Sequence, residues 1–198
     1  MTPASQRRAI LASMALSAAT AVLLWWGVFA LLPPGFAGHS RPLNLALQCI
    51  GAATLFTLAA GIEAVAHERL MTPAIDPLAG AESPHMRVNQ RYLQNTLEQL
   101  VLFAAGLALL ALYAEARVPV AATLVWVLGR WAFWIGYHIA PRFRAIGLVG
   151  MVQSLVVLVT GVGFAAYEHF GTAGAVTAVA LFVVLELVVT FAAIRPRP

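Results

Sequence analysis

The feature that most constrains this chain is a succession of apolar runs, each about 20 residues long, which is what a helix needs to cross a hydrocarbon core roughly 30 Å thick. Six such runs lie at residues 9–32, 43–66, 92–114, 119–140, 145–168 and 173–194, bounded by arginine, proline or loop residues. In hydrocarbon each backbone N–H and C=O must be satisfied within its own segment, so the runs predict helices and no strands. Composition agrees: 61% of residues are hydrophobic and 10% charged, against about a quarter charged in a soluble domain. A single all-α integral membrane domain over residues 1–198, with six spans, is expected.

The charges set an orientation. All twelve basic residues are arginine. With a cytoplasmic N-terminus, six spans put Arg7, Arg8, Arg69, Arg87, Arg91, Arg142, Arg144, Arg195 and Arg197 on one side and only Arg41 and Arg117 on the other, a positive-inside pattern. Both termini and the connection at 67–91 are therefore expected in the cytoplasm. The first run follows Arg7 and Arg8 but exceeds the 7–15 apolar residues of a signal peptide, so it reads as a retained helix. The arginines sit singly or in pairs at helix ends rather than along one exposed face, which argues against a nucleic-acid partner and suits topology and anionic lipid. The single cysteine, Cys49, excludes an intrachain disulfide and a Cys-based metal site. No metal is expected.

Polar residues inside the apolar runs carry the functional information. The connection 67–91 holds Pro73, Pro77, Gly80 and Pro84, which break a continuous helix. The third span opens with RVNQRYLQNTLEQLVLF, where Arg87, Arg91, Asn95 and Glu98 are spaced by four, four and three and so share one helix face. The fourth carries Arg130 about halfway along and Tyr137 seven residues later on the same face. An arginine at mid-membrane costs about 2.5–3.5 kcal/mol even on the permissive scale, so Arg130 must face protein, water or an anionic ligand. Pro141 ends that span, and Arg144 opens the fifth beside free backbone N–H groups. Together these make an anion site.

Blander readings stand beside this one. Arg87 and Arg142 also fit as membrane-side anchors, and Tyr92, Trp131, Trp134 and His138 as interface or packing aromatics. Asn95, Glu98 and Arg130 also fit as an interhelical polar cluster that fastens helices. Glu63 can snorkel or pair with Arg69. Glu186, well inside the sixth run, is expected protonated or paired with an oligomer neighbour. Cys49, Gln48 and Gln153 read as interior or interhelical residues.

The stretch RYLQNTLEQ followed by Phe103, then Arg130, Tyr137 and Arg144 at intervals of seven, resembles the MAPEG family (membrane-associated proteins in eicosanoid and glutathione metabolism), in particular its bacterial members. The resemblance covers about residues 43–168. It implies a four-helix bundle, a homotrimer with glutathione bound between subunits near the cytoplasmic side of a bacterial inner membrane, and transferase or peroxidase chemistry on lipophilic small molecules. Carried over by position, Arg91, Asn95 and Glu98 hold the glutathione peptide, and Arg130 and Tyr137 add contacts. Arg144 stabilises the thiolate, and Arg69 and Arg87 are possible additional contacts. Charge fits, because two carboxylates and one ammonium face several guanidinium forks and one glutamate. The sequence departs from the family at Phe133, where a tyrosine is frequent, at Gln99, where an aromatic is frequent, and at Val101 and Leu102, where a proline is common. Residues 9–32 and 173–194 are additional outer helices. A non-catalytic protein binding an anionic lipid or metabolite at the same cluster is the alternative, and a transporter is a third reading.

Overall fold

The computed structural model describes residues 3–36, 41–141, 143 and 147–194. These form five long helices in chain order: α1 (Pro3–Leu31), α2 (Pro42–Met71), α3 (Pro84–Tyr113), α4 (Arg117–Ile139) and α5 (Leu148–Ile194). Among the described residues there is no strand. Helix α5 reverses at Gly171, whose φ of 64° and ψ of −161° are not helical. A β-carbon placed on Gly163 would lie 3.7 Å from Val179 Cγ2, which a straight helix with a 1.5 Å rise could not bring about. The segments 148–170 and 172–194 therefore pack side by side, and the described residues make six apolar passes. Four stretches are long and apolar enough to cross a membrane, with a shorter apolar helix at Ala15–Leu31. The protein is an integral membrane protein built as a helical bundle.

Two expected boundaries move. The connection between the second and third passes is 72–83 rather than 67–91, because α2 runs on to Met71 and α3 already begins at Pro84. Pro84 does not break α3 but starts it: proline at N1 loses no helical bond, and the Ser83 hydroxyl accepts from the Met86 N–H at 2.9 Å, a standard N-cap. The fifth pass begins at Leu148, four residues beyond Arg144. Helix α4 ends as expected, with Ala140 extended ahead of Pro141.

Helix α2 contains a π-helical stretch at Thr54–Ala59. Such a widened turn leaves carbonyls looking for donors. Tyr92 O–H donates to the Thr57 carbonyl at 3.2 Å and Trp131 Nε1–H to the Phe56 carbonyl at 2.9 Å. Gly61 lets Tyr92 approach, since a β-carbon there would lie 2.9 Å from the ring.

The core lies between α2, α3, α4 and the first half of α5. Phe103 and Trp126 are fully buried and stacked, with ring centroids 4.9 Å apart, and Trp126 Nε1–H donates to Ser154 Oγ at 2.9 Å. Helices α3 and α5 touch backbone to backbone. A β-carbon on Gly106 would sit 2.5 Å from Leu158 N, and one on Gly161 would sit 2.9 Å from the Gly106 carbonyl oxygen. Close crossings on small residues replace the hydrophobic effect as the packing force between membrane helices.

Chain direction places the start of α1, the connection 72–83 and the described residues 140, 141, 143 and 147 on one side of the bundle. Residues 32–36, 114–116 and Gly171 lie on the other.

Candidate functional site

Arg130 is only 1% exposed. Its Nη1 donates to Asn95 Oδ1 and its Nη2 to Thr96 Oγ1, both at 3.0 Å. The guanidinium lies over the Phe133 ring, 4.6 Å from its centroid, with the Tyr92 ring at 5.5 Å, positions from which a ring face attracts a cation. Among the described residues no carboxylate pairs with Arg130, and its buried Nε has no hydrogen-bond partner. Adjacent on α3, Gln99 is also buried, with its Oε1 unpartnered. Thr96 was not singled out from sequence, since threonine inside an apolar run carries no signal by itself.

Asn95 joins this buried centre to the outside of the bundle. It is half-buried, and its Oδ1 is taken by Arg130, so the two N–H bonds of Nδ2 are available to donate. Around it Arg91, Gln94 and Glu98 are exposed on α3, with Arg91 donating to Gln94 Oε1 at 3.5 Å and Gln94 Nε2 donating to Glu98 Oε1 at 3.1 Å. Of the residues spaced by four, four and three, Arg87, Arg91 and Glu98 are exposed and Asn95 is turned partly inward to Arg130. Gln94 links Arg91 to Glu98.

The structure does not gather every expected residue. Tyr137 is half-buried, edge-on to Phe133 at 5.7 Å between centroids, about two turns beyond Arg130 on the same face. Arg69 is half-buried at the end of α2 and Arg87 is exposed in the first turn of α3, neither in contact with the Arg130 cluster. Arg144 and Arg142 lie outside the described residues. Of the chain flanking Arg144, the Phe143 carbonyl oxygen would meet a β-carbon on Gly136 at 2.6 Å, and a β-carbon on Gly147 would meet Phe133 Cβ at 2.0 Å. Phe143 and Gly147 thus lie directly on α4, against Gly136 and Phe133.

A second polar network emerges on the same side of the bundle. Asn89 is 7% exposed. Its Nδ2 donates to Glu68 Oε2 at 3.0 Å, while its Oδ1 accepts from Trp134 Nε1 at 2.9 Å and meets His138 Nε2 at 2.9 Å. Glu68 also accepts from the Ser83 hydroxyl, and Trp134 stacks on Tyr92 at 4.5 Å. This network ties α2, α3 and α4 together, so Tyr92, Trp131, Trp134 and His138 are packing and fastening residues. Glu63 is exposed and makes no ion pair with Arg69. Glu186 faces outward on 172–194. Gln153 is interhelical as expected, donating to the Ala122 carbonyl at 2.7 Å, and Cys49 is buried. Among the described residues no group of three or more His, Cys, Asp or Glu could hold a metal.

Comparison with known proteins adds three findings. Residues 46–166 match the family model described as MAPEG family. An uncharacterised protein of Synechocystis sp. is 37% identical over 70 residues, which is 35% of this chain and 51% of that protein. The chain thus spans about half the length of that curated relative. No solved structure matches.

Proposed function

The chain belongs to the MAPEG family, and from that premise we propose that it is a membrane-bound, glutathione-dependent transferase or peroxidase acting on lipophilic substrates. The observation that carries this reading is the Arg130–Asn95 bond. It spends a buried, uncompensated cation on orienting one amide at the bundle surface, between an exposed arginine and an exposed glutamate. A cluster that served only to fasten helices would have no need of Arg91 and Glu98 on the outer face, where charge in hydrocarbon is costly.

Glutathione fits that surface. The Arg91 guanidinium offers a fork for a carboxylate, Asn95 Nδ2 donates to a peptide carbonyl or carboxylate, and Glu98 takes the ammonium. Arg130 acts from behind as the group that positions Asn95, and Tyr137 extends the same face. Arg69 and Arg87 stand away from this cluster and serve at most as peripheral attraction for the anion. Because Arg91, Gln94 and Glu98 are exposed on α3, a neighbouring subunit closes the site, as in a homotrimer. Arg144 is the cation assigned to the thiol. A thiol with reference pKa near 8.5 is only a few per cent ionised at pH 7, and an adjacent guanidinium raises that fraction. The thiol proton leaves to solvent; the thiolate sulfur then bonds to the electrophilic carbon of a lipophilic substrate as its leaving group departs, or to the terminal oxygen of a lipid hydroperoxide as the O–O bond breaks and the alcohol leaves, a second glutathione then converting the sulfenic acid to disulfide and water. The side bearing residues 72–83, 140, 141, 143 and 147 is assigned to the cytoplasm.

Calorimetric titration of the purified protein with glutathione tests the proposal. Saturable binding is expected, weakened about tenfold or more in Glu98→Gln, since a hydrogen bond to a charged group is worth about 1.5–3 kcal/mol. Equal affinity in wild type and Glu98→Gln, or no binding, would leave the cluster as helix fastening or as a site for an anionic lipid.

A further inference from the structure

A large cavity lies away from the Arg130 cluster, towards the opposite side of the bundle. It has a volume of about 900 Å³ and is bounded by α1, the end of α3, the start of α4 and the first half of α5. On α1 the wall is Ala15, Ala18, Ala21 and Trp25; on α5 it runs from Val152 to Phe164. Small side chains at intervals of three hollow out one face of α1. The α1 wall lies outside the family match at 46–166, so the cavity depends on a helix this chain adds to the family's bundle.

From Val152 to Phe164 the cavity extends about 18 Å at 1.5 Å per residue, close to the roughly 15 Å of one leaflet's hydrocarbon. Its inner end carries Ala15, Val152 and Gln153, whose amide donates to the Ala122 carbonyl at 2.7 Å, and apart from that amide, Thr160 and Glu115 the lining is apolar. Its other end reaches Ala114 and Glu115 in the turn between α3 and α4, where the polar boundary of the membrane must fall. Glu115 is the one charged residue in its lining. It is exposed and held by Arg117, with Nε to Oε1 at 2.6 Å and Nη2 to Oε2 at 2.9 Å. That hydrogen bonding keeps the Glu115 carboxyl below the usual carboxylate range, so it is ionised at neutral pH. Arg117 in turn donates to the Leu32 carbonyl and lies over Phe29 of α1 at 4.2 Å, which ties the mouth of the cavity to α1.

We infer that this cavity holds one acyl chain of a zwitterionic, ammonium-bearing phospholipid from the leaflet opposite the 72–83 connection, with its headgroup at the Glu115–Arg117 pair. The length matches a single leaflet, the predominantly apolar lining favours a hydrocarbon chain over a polar occupant, and the charged residue sits at the end where a headgroup belongs. The ammonium meets a carboxylate and the phosphate meets the neighbouring guanidinium. An anionic glycerol headgroup has no cation to offer Glu115.

Native mass spectrometry of the full chain, released from nanodiscs made of equal phosphatidylethanolamine and phosphatidylglycerol, tests this. The expected result is one retained lipid per chain, with at least fivefold preference for phosphatidylethanolamine. Glu115→Gln should keep the retained lipid but bring the two headgroups to parity. Ala18→Trp fills the cavity and should cut retention at least tenfold at unchanged helical circular dichroism; Ala21→Leu, a smaller filling, does the same if the tryptophan disturbs the fold. Parity of headgroups in the wild type, or undiminished retention in the filled variants, would overturn the inference.

Discussion

Arg130 is held by two hydrogen bonds and two aromatic faces and carries a charge that no described carboxylate neutralises. A lysine there keeps the charge but cannot span Asn95 and Thr96 as a planar fork does. Arg130→Lys is therefore expected to weaken glutathione binding about tenfold while the bundle still folds, read by titration alongside thermal unfolding. The Asn89 network makes a separate prediction. Trp134→Phe keeps the stack on Tyr92 but removes the donor to Asn89, and should destabilise the bundle by about 1 kcal/mol without altering glutathione affinity. Arg130, Asn95 and Glu98 were legible in the sequence because a charged or amide side chain in an apolar run is costly. Glu68, Ser83 and Asn89 were not, because polar residues beside a proline-rich connection look like a solvated loop. Only α3 starting at Pro84 turns them inward.

Helix identity was legible throughout, because length and apolar composition decide it in a membrane. What spacing could not supply was the depth at which helices cross and where a helix changes winding. Gly106 and Gly161 read as ordinary glycines, yet they set the closest contact between α3 and α5. Gly106→Val should push these helices apart, since a β-carbon would stand 2.5 Å from the Leu158 backbone. The expected outcome is loss of the cooperative thermal transition, or a drop of several kcal/mol as for overpacked or strained core sites, measured in detergent against a neutral exposed control such as Leu112→Val. The π-helical stretch was equally silent in sequence. Its two exposed carbonyls are satisfied by Tyr92 and Trp131, which the apolar context presented only as aromatics. Tyr92→Phe leaves the Thr57 carbonyl without its donor and should cost about 1–3 kcal/mol.

The described residues combine helices within the family match at 46–166 with two passes outside it, one of which, α1, walls the large cavity. Six passes were readable from the apolar runs. The hairpin at Gly171 was readable only as a break between the fifth and sixth. The positive-inside count and the placement of 72–83 and residues 140, 141, 143 and 147 on one side agree with each other, because both follow from an even number of passes. In the proposed function a second subunit completes the site at the exposed Arg91, Gln94 and Glu98, so crosslinking in mild detergent is expected to show a trimer. The central claim is that this assembly binds glutathione with its thiol ionised. A lowered thiol pKa means that binding tightens as pH rises from the bound pKa towards about 8.5, the free thiol's value, and levels off above it. The most direct test is the ultraviolet thiolate absorbance of glutathione added to the purified protein across pH 5–9. A titration midpoint below 8.5, shifted back to the free value in Arg144→Ala, is predicted. A midpoint equal to that of free glutathione in the wild type would contradict it.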